Sequence, residues 1–462
     1  MLKLAPALLA LLASPALAQP LTPAETAQID RIVTQALAAD QVPSASIAIV
    51  RDGRIVLTKA YGKANEGMAA TAGSPYQIAS NSKQFTAMAL LLLEDEGKLS
   101  LDDHVAKFLP GITGGDRITL RQLLAHTSGL QDFWPQDYSF EAMARPTTPQ
   151  GIVDRWAKKP LDFQPGDQWQ YSNTGYVVAG MIAEKVSGEP LVRFLQKRIF
   201  RPLGMTSVRD QDETNTPKFP SGYGRFALGP VRPVTAPAHG WLYAAGELSM
   251  TAEDLAKWDI ARINRSLVPA DDWEAQETTV KLNDGKDSGY GLGVFVSNGP
   301  PRAITHGGEA VGFLTANNVY PAEKAAVVVF TNTWASGAYN RIARDIARVI
   351  LPQAPQDAVA IAQAGRARTV FDQLSAGRLD RSLLTANANY YFTPQAIADY
   401  AASIAPLGEP TAFDPRGKPV LRGGFVIQNY VVRYAGRSLN LSTFYEPGTA
   451  GRIEQFLVTP GE

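Results

Sequence analysis

The chain has 462 residues, 45% of them apolar and 19% charged, and its 44 basic and 44 acidic side chains cancel to a formal net charge of zero. This is the profile of a globular chain with room for two or three domains, and the absence of a charge excess argues against nucleic acid or an anionic lipid surface as partner. Cysteine is absent, and the four histidines show no metal-ligand spacing, which excludes a thiol nucleophile and disulfides and argues against a metal-dependent hydrolase.

In chain order, Lys3 precedes an apolar run over residues 5–16, and Ala16-Leu17-Ala18 is a small-x-small site for cleavage before Gln19. Residues 1–18 therefore read as a signal peptide, and the mature chain as exported, periplasmic or secreted. The run is shorter than the roughly twenty residues that cross a bilayer, and no later stretch supplies a span. Thr22 is placed to cap an amphipathic helix predicted over residues 23–39, and strands over 44–50 and 54–62 form a hairpin turned at Asp52-Gly53. A helical, turn-rich region follows. A second β block lies far downstream, with strands predicted at 290–296, 303–306, 313–320 and 325–331 and a helix at 339–350.

Strands at both ends of one segment, with a helical insert between them, imply a single sheet assembled from its two ends, the insert packed beside it and a groove where the layers meet. The Pro-rich stretch over 351–357 reads as a linker, which sets a main domain at 19–353 and an accessory domain at 354–462. The accessory part carries helix patterns at 358–376 and 394–404 and strand runs at 424–434, 438–445 and 452–458. It is a small α+β module, loosely similar to cone-shaped domains of the nuclear transport factor type, and its expected role is packing or contact with a protein partner.

Three short strings carry chemistry: Ser80-Asn81-Ser82-Lys83, Tyr171-Ser172-Asn173 and His306-Gly307-Gly308. Ser80 opens a helical run over 82–96, where free N–H groups and the positive dipole end stabilise an alkoxide or oxyanion. Lys83 lies one turn along the same face, within reach of the hydroxyl. Read alone, the pair is a helix cap and a solvated charge. Met88, Leu90, Leu91 and Leu92 make the helix a core element, however, and a lysine on its first turn then needs a partner.

Tyr171 and Asn173 sit in a loop ahead of a helix predicted over 176–186. A phenol with an ordinary pKa near 10 acts as a base only if nearby positive charge lowers it, and a lysine near 10.4 is less than about 0.1% neutral at pH 7. One member of the Lys83–Tyr171 pair must be shifted: burial lowers the lysine, the ammonium lowers the tyrosine, and the proton belongs to the coupled pair. Asn173 suits holding a substrate carbonyl or amide, with helix capping as its structural alternative. His306-Gly307-Gly308 ends a strand, where glycines let a ligand approach and the next N–H can donate to an oxyanion. A satisfied structural histidine is the alternative for His306, and His126 reads as part of a turn that supports the site. No Gly-x-Ser-x-Gly occurs, so a hydrolase elbow with a Ser-His-Asp triad is not supported.

Together with Leu123-Leu-Ala-His-Thr-Ser-Gly-Leu130, Tyr176-Val-Val-Ala-Gly180, Pro202-Leu-Gly-Met205 and Gly246-Glu-Leu-Ser-Met-Thr-Ala-Glu-Asp-Leu255, these strings make residues 25–352 resemble the serine β-lactamase and penicillin-binding-protein superfamily. The similarity is to its class C β-lactamase, D-stereospecific peptidase and esterase branch. The resemblance implies an α/β (α+β) β-lactamase/transpeptidase-like fold with an antiparallel sheet and a helical subdomain. It implies Ser80 as the acylated nucleophile, Lys83 and Tyr171 sharing acid–base work, Asn173, His306 and Gly308 against the substrate, and the backbone N–H groups of Ser80 and Glu309 as oxyanion hole. No cofactor or metal is implied, since acyl transfer needs only these side chains.

The expected activity is that of an exported serine hydrolase acting through an acyl-enzyme on a peptide, a D-amino-acid amide or an ester. The alternatives are a β-lactamase and a slowly acylating protein that binds or senses a cell-wall peptide. One departure bears on substrate. Many β-lactamases carry Lys-Thr-Gly at the third string, and here His306 and Gly307 replace the cation and the threonine. Carboxylate capture should weaken, and Glu309 adds a negative charge that suits an amine instead.

Overall fold

The computed structural model describes residues 19–136, 138–227, 229–334, 336–351 and 358–461; the expected signal peptide lies outside them. The chain divides into two compact units, residues 1–352 and 353–462.

In the first unit, helix α1 (Pro23–Asp40) starts at a capping box: the Thr22 hydroxyl accepts from the Glu25 N–H while the Glu25 carboxylate accepts from the Thr22 N–H. Strands β1 (Ser44–Arg51), β2 (Arg54–Asn65) and the short β3 (Met68–Ala69) follow. The insert contributes helices α2 (Lys83–Asp95), α3 (Asn173–Ser187) and α4 (Ala252–Ile263). Then come β4 (Phe295–Ser297), β5 (Ala303–Ala310), β6 (Phe313–Tyr320), β7 (Ala325–Thr331) and helix α5 (Ala338–Ile350).

The sheet runs β3-β2-β1-β7-β6-β5-β4, with β1 antiparallel to β7 and Ile47 opposite Val329. First and last strands are thus neighbours, as the split β blocks imply. Side chains alternate between faces along a strand. Ala45, Ile47 and Ile49 of β1 and Val327 and Val329 of β7 face α1 and α5, against Ile29, Val33, Ile342 and Ile346. Ala48, Val50, Val328 and Phe330 face the insert, against Phe85 and Met88 of α2 and Trp258 of α4. Both faces are covered, which is why these strands read as nearly continuous apolar runs. Every residue of α2 from Lys83 to Leu93 is buried, and each large apolar side chain among them stabilises its position by roughly 1.5–3 kcal/mol.

Two expectations shift. The strand predicted at 290–296 shrinks to β4, because Tyr290 turns into the site and Gly293, at a φ of 79°, passes so close to α2 that a Cβ there would lie 2.8 Å from the Lys83 carbonyl oxygen. β5, by contrast, does not stop at His306; it continues through both glycines to Ala310, paired with β6 throughout.

The second unit packs α6 (Ala358–Ser375) and α7 (Pro394–Ile404) on a sheet of β8 (Ala412–Arg422), β9 (Phe425–Tyr434), β10 (Arg437–Tyr445) and β11 (Ile453–Pro460), in that order and antiparallel. Its core includes Phe371, Leu374, Phe392, Tyr430, Leu441 and Phe456. The sequence reading missed β8. Pro415, Gly417 and Pro419 lower its strand propensity, and it is an edge strand held by β9 alone.

Candidate active site

Ser80 stands on a single 3₁₀ turn (Ala79–Ser82) that runs directly into α2, so it precedes the α-helix instead of occupying its first turn. Ala79 is forced into left-handed backbone at a φ of 48°, a costly conformation for a residue with a side chain. Surrounding contacts hold it. Asn81 donates to the Thr315 hydroxyl of β6 at 2.9 Å, Thr315 donates to the Ile78 carbonyl at 3.1 Å, and the Ile78 N–H bonds the Leu248 carbonyl at 2.9 Å. Strand β5 lies hard against the same turn. A Cβ at Gly308 would sit 2.1 Å from the Ile78 carbonyl oxygen, so only glycine permits that approach.

Lys83 is fully buried, and its amine has three partners: the Ser80 hydroxyl at 3.0 Å, the Asn173 Oδ1 at 2.8 Å and the Ala245 carbonyl at 2.7 Å. As an ammonium it donates to all three. As a neutral amine it keeps two N–H groups for the two carbonyl oxygens, which can only accept, and its lone pair then turns to the one partner able to donate, Ser80. Burial drives it toward that neutral form, pushing its pKa down to about 7 against a counter-pull from Asp132.

For Tyr171 the sequence left two options open, and the structure favours one of them. Its hydroxyl is buried, faces Ser80 without closing a hydrogen bond of full geometry, and has no other partner. Burial, reinforced by Asp132 and Glu309, raises its pKa, and Ser80 only partly offsets this. The shift therefore falls on the lysine, and Tyr171 stays a neutral phenol. Lys83 lies 4.8 Å from the Tyr171 ring centre. Behind that ring stacks His126, at 4.2 Å between centroids, in left-handed backbone at a φ of 60°. The His126 Nδ1 accepts from the Ser172 N–H at 3.1 Å, and its pKa is held well below the ordinary value by burial and then by Lys83. It is a neutral prop for the tyrosine.

His306 is neutral as well, its pKa pushed down to about 3 by burial and Lys83. Its Nδ1 faces the Gly307 carbonyl, which can only accept, so Nδ1 carries the proton and Nε2 accepts from the Tyr290 hydroxyl at 2.9 Å. Glu309, next on β5, accepts from the Trp334 indole.

Ser172 caps α3, accepting from the Gly175 N–H at 3.2 Å, which leaves Asn173 as the first helical residue with its amide turned inward. That amide meets a residue the sequence reading missed. Asp132, half-buried, accepts from the Asn173 N–H at 3.0 Å, the Asn173 Nδ2 at 3.1 Å and the Trp134 N–H at 3.1 Å. Its only sequence signal is an acid in the apolar stretch Leu130-Gln-Asp-Phe-Trp134, two residues past the His-Thr-Ser-Gly-Leu string.

The expected residues converge. A cavity of about 470 Å³ is lined by Ser80, Tyr171, Asn173, His306, Gly308 and Glu309, with Lys83 bonded to Ser80 at its floor. Asp132 joins the lining, and Trp134, Phe295, Trp334, Leu242 and Tyr339 supply apolar and aromatic wall. His239 and His104 lie elsewhere, near Asp212 and in a bridge to Thr119. The arrangement can hold a carbonyl compound over a hydroxyl that has an amine 3.0 Å away.

Comparison with known proteins accords with this geometry. The Bacillus subtilis (strain 168) protein PbpX, named as a penicillin-binding protein, is 30% identical over 292 residues, covering 63% of this chain and 70% of that protein. A D-stereospecific amidohydrolase from a Streptomyces species superposes with a TM-score of 0.60 at 28% identity, covering 69% of this chain and 97% of that one. The D-amino acid amidase from Ochrobactrum anthropi SV3, solved with D-phenylalanine, does so with a TM-score of 0.62 at 25% identity, covering 71% and 99%. The family model described as beta-lactamase matches residues 29–351. The chain is a serine hydrolase of β-lactamase/transpeptidase-like fold, and it belongs to the beta-lactamase family.

Proposed function

We propose that the protein is an exported acyl-transferring hydrolase that uses Ser80 as nucleophile and Lys83 as base on amides or esters of D-amino acids or short peptides. One observation carries the reading: a fully buried lysine, poised near neutrality, bonded to the serine. Ser80 Oγ attacks the substrate carbonyl carbon as its proton passes to the Lys83 amine. The backbone N–H groups of Ser80 and Glu309 would receive the oxyanion. Collapse breaks the carbonyl–nitrogen or carbonyl–oxygen bond, and the leaving amine or alcohol takes the proton from Lys83, with the neutral Tyr171 hydroxyl relaying it. Water then repeats the sequence on the ester of Ser80, regenerating the enzyme.

The walls support the substrate class. Asp132 and Glu309 are acidic and His306 is neutral, so a free carboxylate finds no cation there beyond Lys83, whereas an amine or a neutral amide is tolerated. The aromatic wall suits a large apolar side chain. The names of the Streptomyces and Ochrobactrum proteins, both D-specific amide hydrolases, point the same way. Export rests on residues 1–18 and is tested by locating the mature N-terminus.

A panel of D- and L-phenylalanine amide, D-alanyl-D-alanine peptide, nitrocefin and short p-nitrophenyl esters tests the reading. Turnover of the D-amide and the ester that disappears in Ser80→Ala is expected. Turnover that survives in Ser80→Ala contradicts it.

A further inference from the structure

Asp132 does not reach the nucleophile, yet it is among the most constrained acids of the site. Among the described residues its three hydrogen-bond partners are all donors: Trp134 N–H, Asn173 N–H and Asn173 Nδ2. Burial raises the Asp132 pKa, but a protonated carboxyl would need an acceptor for its O–H, so this partner set belongs to the carboxylate. Its grip also decides which way the Asn173 amide points. With Nδ2 on the carboxylate, Oδ1 must lie on the opposite side, where it accepts from Lys83 at 2.8 Å. The flipped amide would set Oδ1 against the carboxylate and its NH₂ against the lysine amine, two repulsions in a dry site.

We propose that Asp132 is a positioning residue for the base, locking the Asn173 amide so that its oxygen faces Lys83 and placing a half-buried counter-charge near that amine. The idea rests on the reading of Lys83 as base. The other titratable groups around Lys83 are Tyr171 and Tyr176, both with raised pKa, and His126 and His306, both held neutral; Glu309 stands at the rim. Among the described residues Asp132 is thus the half-buried anion of the set, and it is the charge that pulls the lysine back toward its ammonium form.

Two effects separate on substitution. Asp132→Asn removes the charge and offers an NH₂ that turns the Asn173 amide over. Asp132→Ser removes the charge without that donor pair, and Asp132→Glu keeps the charge on a longer arm. The experiment follows the rate of Ser80 modification by a fluorophosphonate across a pH series, read by intact mass and peptide mapping on the full chain, with folding checked by circular dichroism.

In the uncharged variants the lysine loses its counter-charge, so the acid limb of the profile should move about one pH unit lower. The plateau rate should fall about 10- to 100-fold as the amide loses its lock. Asp132→Glu should lower the plateau and leave the limb in place. Labelling of Ser80 with an unmoved limb in both uncharged variants overturns the proposal while sparing the reading of the base. Loss of fold in both also overturns it, in favour of a purely structural role. No label on wild-type Ser80 overturns the reading of the base and this proposal with it.

Discussion

The floor of the site and its β5 wall each present one buried basic side chain to the cavity, and burial acts on both in the same direction. Lys83 starts from 10.5 and is brought to about 7, whereas His306 starts from 6.5 and is brought to about 3. The same physical cause therefore yields an amine poised at neutrality on the floor and an uncharged hydrogen-bonding group on the wall. Their partners differ in kind. Lys83 meets two carbonyl oxygens and one hydroxyl, a set that lets the neutral amine accept the serine proton. His306 is pinned between Gly307 and Tyr290, with both ring nitrogens engaged. What desolvation makes of a basic group depends on where its ordinary value lies relative to the working pH.

The sharpest way to break this contrast is to remove the floor's base. Lys83→Met should lower kcat/KM by about 10³- to 10⁴-fold, because among the described residues no other base is bonded to Ser80. Residual activity within tenfold of wild type, measured by ester hydrolysis, contradicts the assignment.

Next comes the contact that joins floor to wall. Gly308→Ala puts a methyl group 2.1 Å from the Ile78 carbonyl, which must push β5 off the Ser80 turn. A drop of about 100-fold in kcat and a loss of roughly 1–3 kcal/mol in denaturant stability are expected. Near-normal values of both would show that the layers are less tightly coupled than the geometry implies.

Tyr171→Phe separates relay from base. It should lower kcat about 10- to 100-fold but leave the acid limb where it was, since the titrating group is the lysine: activity rises with pH as the amine loses its proton through about 7. Disappearance of the limb in Tyr171→Phe would transfer the role of base to the tyrosine.

The smallest effect concerns the wall. His306→Lys restores a cation where the structure has a neutral ring, and the KM of carboxylate-bearing substrates should fall about tenfold relative to that of neutral amides. An unchanged preference would mean that His306 does not set the charge selectivity of the cavity.

Much of this was legible in the chain. Strand-like apolar runs at 44–50 and 325–331, together with the helical insert between them, pointed to one sheet closed from both ends, and both faces of those strands are buried. Ser80, Lys83, Tyr171, Asn173, His306, Gly308 and Glu309 were identifiable as short strings that packing brings to one cavity. What the strings could not carry was the division of labour. The strings left open which of Lys83 and Tyr171 is shifted; Tyr171 is enclosed by His126, Trp169 and His306, and desolvation, with Asp132 and Glu309 adding to it, raises its pKa. Asp132 was missed because its meaning comes from Asn173, 41 residues away in sequence. Edge strand β8 was missed because prolines mark turns more often than strands.

The most direct test of the central claim is mass spectrometry of the fluorophosphonate-treated chain across a pH series spanning neutrality, with peptide mapping. The account predicts a single adduct on Ser80, formed at a rate that rises with pH through about 7 and nearly lost in Lys83→Met. An unmodified Ser80, or a rate indifferent to pH across that range, would contradict it.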